Sequence, residues 1–250
     1  MVLNRSRPRK ALIAGTGSIG RRHIASLREL QPDMAFALLR DRGRVDDYSR
    51  EIGATVFPDL DAAKSWKPDL AVIATPSDRH CEVVAPLLDA GIAVFVEKPV
   101  VIQADEAERL LQRESGRDPP SQVGCVLRFL GAVQLLQSWL ARGRLGRIAR
   151  ARFECGQYLP DWRPGRDYRL AYSADGQRGG GVVFDLVHEI DLAVALLGVS
   201  RLHHALLAKR SSLDLSCEDV ALMHLSGDDG VPVSIDLDYV SRMPVRSLDI

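Results

Sequence analysis

Ala11-Leu-Ile-Ala14-Gly15-Thr16-Gly17-Ser18-Ile19-Gly20 decides how this chain is read. A short apolar run passes without a break into three glycines. Behind them, residues 18–30 place Ile19, Ile24, Leu27 and Leu30 at helical spacing. Strand, glycine loop and helix in that order are the context a dinucleotide fingerprint requires. Gly15 then permits the tight turn, Gly17 lets the backbone approach a pyrophosphate, and Gly20 lets the helix pack on the strand. The N–H groups at Ser18, Ile19 and Gly20, together with the positive end of the helix dipole, face the phosphates. On the glycines alone, an ordinary strand–turn–helix connection stays open.

The alternation continues down the chain. Residues 35–39, 69–74, 92–96 and 122–127 read as strands, and residues 45–52, 78–90 and 104–114 read as helices, with Gly91 closing the second of these. Unbroken apolar strands between helices predict a parallel sheet covered on both faces, a doubly wound α/β domain. Residues 114–122, with Pro119-Pro120, form a loop before its last strand, and the domain boundary falls near Leu127. Beyond it the pattern changes. A helix at 132–141, an alternating stretch at 148–158 and a helix at 182–197 precede strand-like runs at 202–209, 220–225, 231–240 and 245–250, with Ser226-Gly-Asp-Asp-Gly230 as a hairpin turn. The expectation is a Rossmann domain over 1–127 and an α+β domain with an open, mostly antiparallel sheet over 128–250.

The 250 residues are 46% apolar and 26% charged, too apolar for a disordered chain. Thirty-three basic residues balance thirty-three acidic ones, whereas a general nucleic-acid binder carries a basic excess. The cluster Arg5, Arg7, Arg9, Lys10 reads as a solvated leader. Cys81, Cys125, Cys155 and Cys217 are dispersed, which argues against a disulfide framework or a zinc ribbon and predicts no metal. No apolar stretch reaches the length of a membrane span, and no apolar run follows the first ten residues to make a secretory signal. A reducing, cytoplasmic setting with no membrane or nucleic-acid partner is expected.

Three further stretches carry chemistry. Leu39-Arg40-Asp41-Arg42 puts an arginine where an acidic residue would bind the ribose of NAD. Arg40 there favours a 2′-phosphate and hence NADP, with Asp41 turned toward the ribose, or Arg40 as a solvated charge, as the alternatives. The strand at 92–96 runs into Glu97-Lys98-Pro99, and ligands in open α/β sheets sit beyond the carboxyl ends of strands. Lys98 there can stabilise negative charge on a substrate oxygen during hydride transfer. Its plainer role is a surface ion pair with Glu97. Gly179-Gly-Gly181-Val-Val-Phe-Asp185-Leu-Val-His188 places Asp185 and His188 three apart on one predicted helix, projecting together. The histidine can exchange protons and the carboxylate can tune it, although a helical histidine is often structural.

Taken in order, the glycine loop, Thr75-Pro76…His80, Glu97-Lys98-Pro99 and Gly-Gly-Gly…Asp…His resemble the Gfo/Idh/MocA oxidoreductase family, over essentially the whole chain. Gly146-Arg147-Ile148 resembles that family's entry into its second-domain sheet. The resemblance implies an NAD(P)-dependent enzyme that oxidises or reduces a sugar, inositol or nucleotide-sugar hydroxyl. It makes Lys98 the catalytic lysine, His188 the proton-transferring histidine and Asp185 the preceding aspartate, with Thr75, Pro76, His80 and Glu97 at the cofactor. Arg128 matches an arginine after the last Rossmann strand and is expected to bind substrate. Many members space the aspartate and histidine four apart, so the role of Asp185 is less fixed than that of His188. The loop holding Tyr158, Trp162, Arg166, Tyr168 and Tyr172 resembles a branch associated with surface-polysaccharide and nonulosonate biosynthesis. Its aromatic faces and arginines suit a sugar ring, a phosphate or a carboxylate, and equally a loop packed for structure.

These readings lead to an oxidoreductase acting on a carbohydrate-like hydroxyl or ketone, with Lys98 and His188 meeting on one substrate oxygen. A non-catalytic NAD(P)-binding sensor or scaffold is the alternative, as is a glycosidase-like elimination or hydrolysis that uses NAD transiently. At the chain end, 231–240 and 245–250 read as neighbouring strands joined by Ser241-Arg-Met-Pro244. The resemblance leads one to expect further strands after them. An unpaired sheet edge and an uncovered apolar face there predict a homo-oligomer, a dimer or tetramer, built on the second-domain sheet.

Overall fold

The computed structural model describes residues 7–116 and 121–250. Arg5 of the expected basic leader and Pro119-Pro120 of the expected loop lie outside the described residues. The chain divides into two compact units, Met1–Gly124 and Cys125–Ile250.

In the first unit, Lys10–Ala14 (β1), Ser18–Leu30 (α1), Ala35–Leu39 (β2), Asp47–Glu51 (α2), Thr55–Phe57 (β3), Leu60–Ser65 (α3), Leu70–Ile73 (β4), His80–Asp89 (α4), Ala93–Val96 (β5), Ala104–Glu114 (α5) and Gln122–Val123 (β6) follow in order. The strands form one parallel sheet in the order β3-β2-β1-β4-β5-β6. Strand order reverses between β1 and β4, and the loops at the carboxyl ends of these strands are the natural ligand crevice of such a sheet. The apolar runs read from the sequence are the ones buried: Leu12, Ile13, Leu38 and Ile73 are sealed in the sheet, and Ile24 of α1 packs on it.

Two elements here escape sequence reading. β3 has three residues and α3 six, too short for periodicity to register, yet Asp59 caps α3 by accepting from the Ala62 N–H. The expected strand at 122–127 stops after Val123. Gly124 still donates to the Val96 carbonyl, but Val126–Phe129 then turns into a short 3₁₀ helix.

The second unit contains Gly131–Ala141 (α6), Ala151–Gly156 (β7), Val182–Asp185 (α7), Val187–Leu197 (α8), Val199–Ala208 (β8), Val220–Gly227 (β9), Pro232–Asp238 (β10) and Val245–Asp249 (β11). Its sheet runs β11-β7-β10-β9-β8 and is mixed: β7 and β10 are parallel, and the other pairings are antiparallel. Two expectations are corrected. The helix read over 182–197 is broken at Leu186, whose φ/ψ of −101°/28° leaves the helical region. β10 and β11 are not neighbours, because β7 lies between them and pairs with both. Alternate residues of β10 (Val233, Ile235, Leu237) are buried, a pattern that fixes the strand's buried face and leaves its neighbour open.

Candidate active site

In the first unit the three glycines of the loop do three different things. Gly15 has φ +93°, and a Cβ there would lie 2.3 Å from the Ala74 carbonyl oxygen, so only glycine lets the loop graze the end of β4. A Cβ at Gly20 would lie 2.0 Å from the Gly15 carbonyl oxygen, so the helix must start without one. A Cβ at Gly17 would meet nothing within 4 Å. Gly17 therefore is not needed for packing, and the space over it is free for a ligand. It is also the N-cap of α1, with no side-chain cap and no acidic residue in the first turn. Uncapped N–H groups at Ser18, Ile19 and Gly20 in front of open space are chemistry that suits a pyrophosphate.

Arg40, at the end of β2, reaches this loop and donates to Thr16 Oγ1 at 3.0 Å. Its Nη1 also lies 2.7 Å from Asp46 Oδ1, and the Arg40 hydrogen bond holds that carboxyl well below the usual range. Asp46 simultaneously caps α2, accepting from the Ser49 N–H. Asp41 stays exposed, 3.7 Å from the Arg79 guanidinium. Sequence reading missed Asp46, which it placed inside the helix at 45–52, whereas the structure makes it that helix's N-cap.

β4 delivers Thr75-Pro76, and Thr75 Oγ1 is buried with no hydrogen-bond partner among the described residues. His80 is 1% exposed, with each ring nitrogen 2.9 Å from a main-chain carbonyl oxygen, Pro99 on one side and Thr75 on the other. It sits behind the loops rather than open to a ligand.

β5 delivers Glu97-Lys98-Pro99, whose Lys98–Pro99 peptide is cis. Glu97 is buried and its carboxylate accepts from His23 Nε2, on α1, at 2.7 Å. Burial raises this carboxyl, but the His23 bond and charge, the Lys98 N–H and the Lys98 charge outweigh it and leave it below its ordinary value. Lys98 is half-buried. His23, which links the glycine-loop helix to this turn, carried no sequence signal.

In the second unit Asp185 is 4% exposed and clamped between two phenols, accepting from Tyr172 Oη at 2.5 Å and Tyr239 Oη at 2.7 Å. Burial and the Asp185 charge push both tyrosine hydroxyls above their ordinary value, so both stay donors. His188 is half-buried in the first turn of α8, beyond the break at Leu186. The single-helix spacing that put Asp185 and His188 on one face therefore does not relate them. Two of the glycines before them, Gly180 and Gly181, serve packing: a Cβ at Gly180 would come within 2.4 Å of the Tyr172 carbonyl oxygen.

The six aromatic and arginine positions separate. Trp162, Arg166 and Tyr168 line one cavity of about 390 Å³, with Arg163 and Asp167. Tyr172 turns to Asp185, Tyr158 carries the Arg242 guanidinium 3.5 Å above its ring, and Arg128 forks onto Asp191 with Nε 2.8 Å from Oδ2. Tyr239, buried at the end of β10 and 54 positions from its partner Asp185, was beyond any sequence pattern.

Residues 9–124 match the family model described as an oxidoreductase family with an NAD-binding Rossmann fold, and residues 133–250 match the GFO/IDH/MocA C-terminal domain. The UDP-N-acetylglucosamine 3-dehydrogenase of Acidithiobacillus ferrooxidans is 23% identical over 95% of this chain and 69% of its own length. The 2,7-anhydro-N-acetylneuraminate hydratase of Escherichia coli is 23% identical over 74% of this chain and 49% of its own length. The chain spans about half the length of several curated relatives it matches. Among solved structures, the WlbA dehydrogenase from Bordetella pertussis, in complex with NADH and UDP-GlcNAcA, matches with a TM-score of 0.83 at 21% identity, over 97% of this chain and 75% of that one.

Proposed function

Because the chain belongs to the Gfo/Idh/MocA oxidoreductase family, we propose that it transfers hydride between a nicotinamide dinucleotide and a carbohydrate-like hydroxyl or ketone. The observation that carries this reading is the glycine loop, where Gly17 faces open space at an uncapped helix N-terminus. Gly15, Gly17, Ser18, Ile19 and Gly20 would hold the pyrophosphate, Thr75, Pro76 and Glu97 the nicotinamide side, and Arg40 the adenosine ribose. Residues 1–127 are assigned to the cofactor and 128–250 to the substrate.

Bound, the nicotinamide supplies the carbon that takes or gives the hydride. Lys98 polarises the reacting oxygen and stabilises its negative charge, and His188 takes or returns the hydroxyl proton at a ring nitrogen. Asp185, pinned by two tyrosines, fixes the backbone that leads into His188. The Trp162–Arg166–Tyr168 cavity takes the sugar and its charged substituent. Arg40 keeps NADPH at least as tight as NADH, although Asp46 already offsets part of its charge. The exposed leucines of the edge strand β8, Leu202, Leu206 and Leu207, support a homo-oligomer through the second sheet, which light scattering tests. A cytoplasmic setting fits a described chain in which no helix is long and apolar enough to cross a membrane.

The test is spectrophotometric: NAD(P)H formation or consumption with sugars, inositols and nucleotide sugars, comparing wild type with Lys98→Ala and His188→Ala. Both variants should lose about 10²-fold or more in rate while binding NADH normally. A wild-type protein that binds neither NADH nor NADPH ends the proposal. The likeness to a hydratase favours one second reading, an elimination with transient hydride transfer, which shows as turnover with no net change in cofactor absorbance.

A further inference from the structure

His80 is the first residue of α4 and is 1% exposed. It stands between two loops that leave adjacent strands, since β4 and β5 pair with Ile73 opposite Val96. One loop carries Thr75-Pro76 and the other Lys98-Pro99-Val100. Nε2 lies 2.9 Å from the Thr75 carbonyl oxygen, and Nδ1 lies 2.9 Å from that of Pro99 and 3.2 Å from that of Val100. All three partners are carbonyl oxygens, which only accept. A neutral imidazole has one N–H and one lone pair, so it would press a lone pair against a carbonyl at one end. The geometry calls for a ring that donates from both nitrogens.

We infer that His80 is a positioning residue: donating from both ring nitrogens, it ties the Thr75 loop to the Lys98 turn and so sets where Lys98 is held. The inference rests on the reading of Lys98 and Thr75 given under Proposed function. It assigns His80 to no contact with cofactor or substrate. A residue present only to fill space would not meet carbonyls on both sides, because two buried acceptors without donors are costly. The two arms serve different ends. The Nε2 arm holds a loop that lines the cofactor site, and the Nδ1 arm holds the turn behind Lys98.

Two substitutions separate the arms. In His80→Gln the side-chain amide nitrogen takes the place of Nε2 and keeps the Thr75 bond, whereas in His80→Asn it takes the place of Nδ1 and keeps the Pro99 bond. Amide hydrogen exchange of peptides covering 97–101 reads the Lys98 turn, and fluorescence titration with NADH and NADPH reads the Thr75 loop. The expected result for His80→Gln is exchange at 97–101 faster by about fivefold, the worth of one hydrogen bond, with dinucleotide Kd unchanged. His80→Asn should do the reverse, with Kd up by about fivefold and exchange at 97–101 near wild type. In the wild-type protein, ¹⁵N spectra of the His80 ring should show both nitrogens protonated. One unprotonated ring nitrogen, or two variants that lose both readouts alike, overturns the inference. Should the wild type bind neither dinucleotide, the proposed function fails, while the ring spectrum and the exchange pattern still decide the role of His80.

Discussion

Two runs of three glycines, each leading into a helix, do opposite work in this molecule. In Gly15–Gly20 one glycine packs nothing: the space over Gly17 is open, and the helix it starts has bare N–H groups. At Gly180 and Gly181, which end the other run, the space is filled. A Cβ at Gly180 would strike the carbonyls of Tyr172 and Ser173, and one at Gly181 would lie 2.3 Å from a Glu218 carboxylate oxygen. The first run presents backbone to a ligand; the second brings a loop against a helix so that Tyr172 can reach Asp185. Glycine in front of a helix is thus no sign of a binding site until the space above it is known.

Substitution puts that contrast at risk. The largest effect is expected for Gly180→Ala, where a methyl group meets backbone that cannot step aside: a stability loss of about 3 kcal/mol in urea unfolding, with NADH affinity retained by the folded fraction. Next is Tyr239→Phe, which removes the phenol that donates to Oδ2 of the buried Asp185 carboxylate. A loss of about 1–3 kcal/mol is expected, and no loss would mean that the phenol clamp is not what holds Asp185. Gly17→Ala should leave the urea midpoint unchanged yet raise the NADH Kd about tenfold, or about 1.4 kcal/mol; equal NADH binding would make Gly17 a mere turn residue.

The smallest effect belongs to Glu97. Its folded carboxyl sits below the ordinary value, so it contributes stability above the ordinary carboxylate range and loses it as pH falls through the lower folded value. The stability difference between wild type and Glu97→Gln should shrink as the pH falls below about 5. A difference that grows on acidification would show that the His23 bond does not outweigh burial.

How much of the site was legible depends on the range of the interactions. The glycine loop and the Glu97-Lys98-Pro99 turn each continue directly from a strand, so a few consecutive residues announce them. The partners that give them their character do not lie nearby. Arg40 reads as a lone cation, yet its charge is already shared with Asp46 and its position is tied to Thr16. Arg128 reads as a ligand-binding arginine, yet it forks onto Asp191, 63 positions away. Asp185 and His188 read as one helical face, and the break at Leu186 removes the basis for that reading.

From its sequence alone this chain is an α/β protein with a dinucleotide-type corner at residues 10–30. Apolar strand, glycines and helical spacing act there between neighbours, so local propensity and steric limits suffice. Tertiary structure alone decided that β7 separates β10 from β11, since an alternating strand fixes which face it buries and leaves its edge partner open. It also decided that Tyr239 closes on Asp185, that His23 closes on Glu97 and that His80 stands behind both loops. Such pairings depend on which distant polar groups are buried together, and a buried donor must take the acceptor that the fold brings to it.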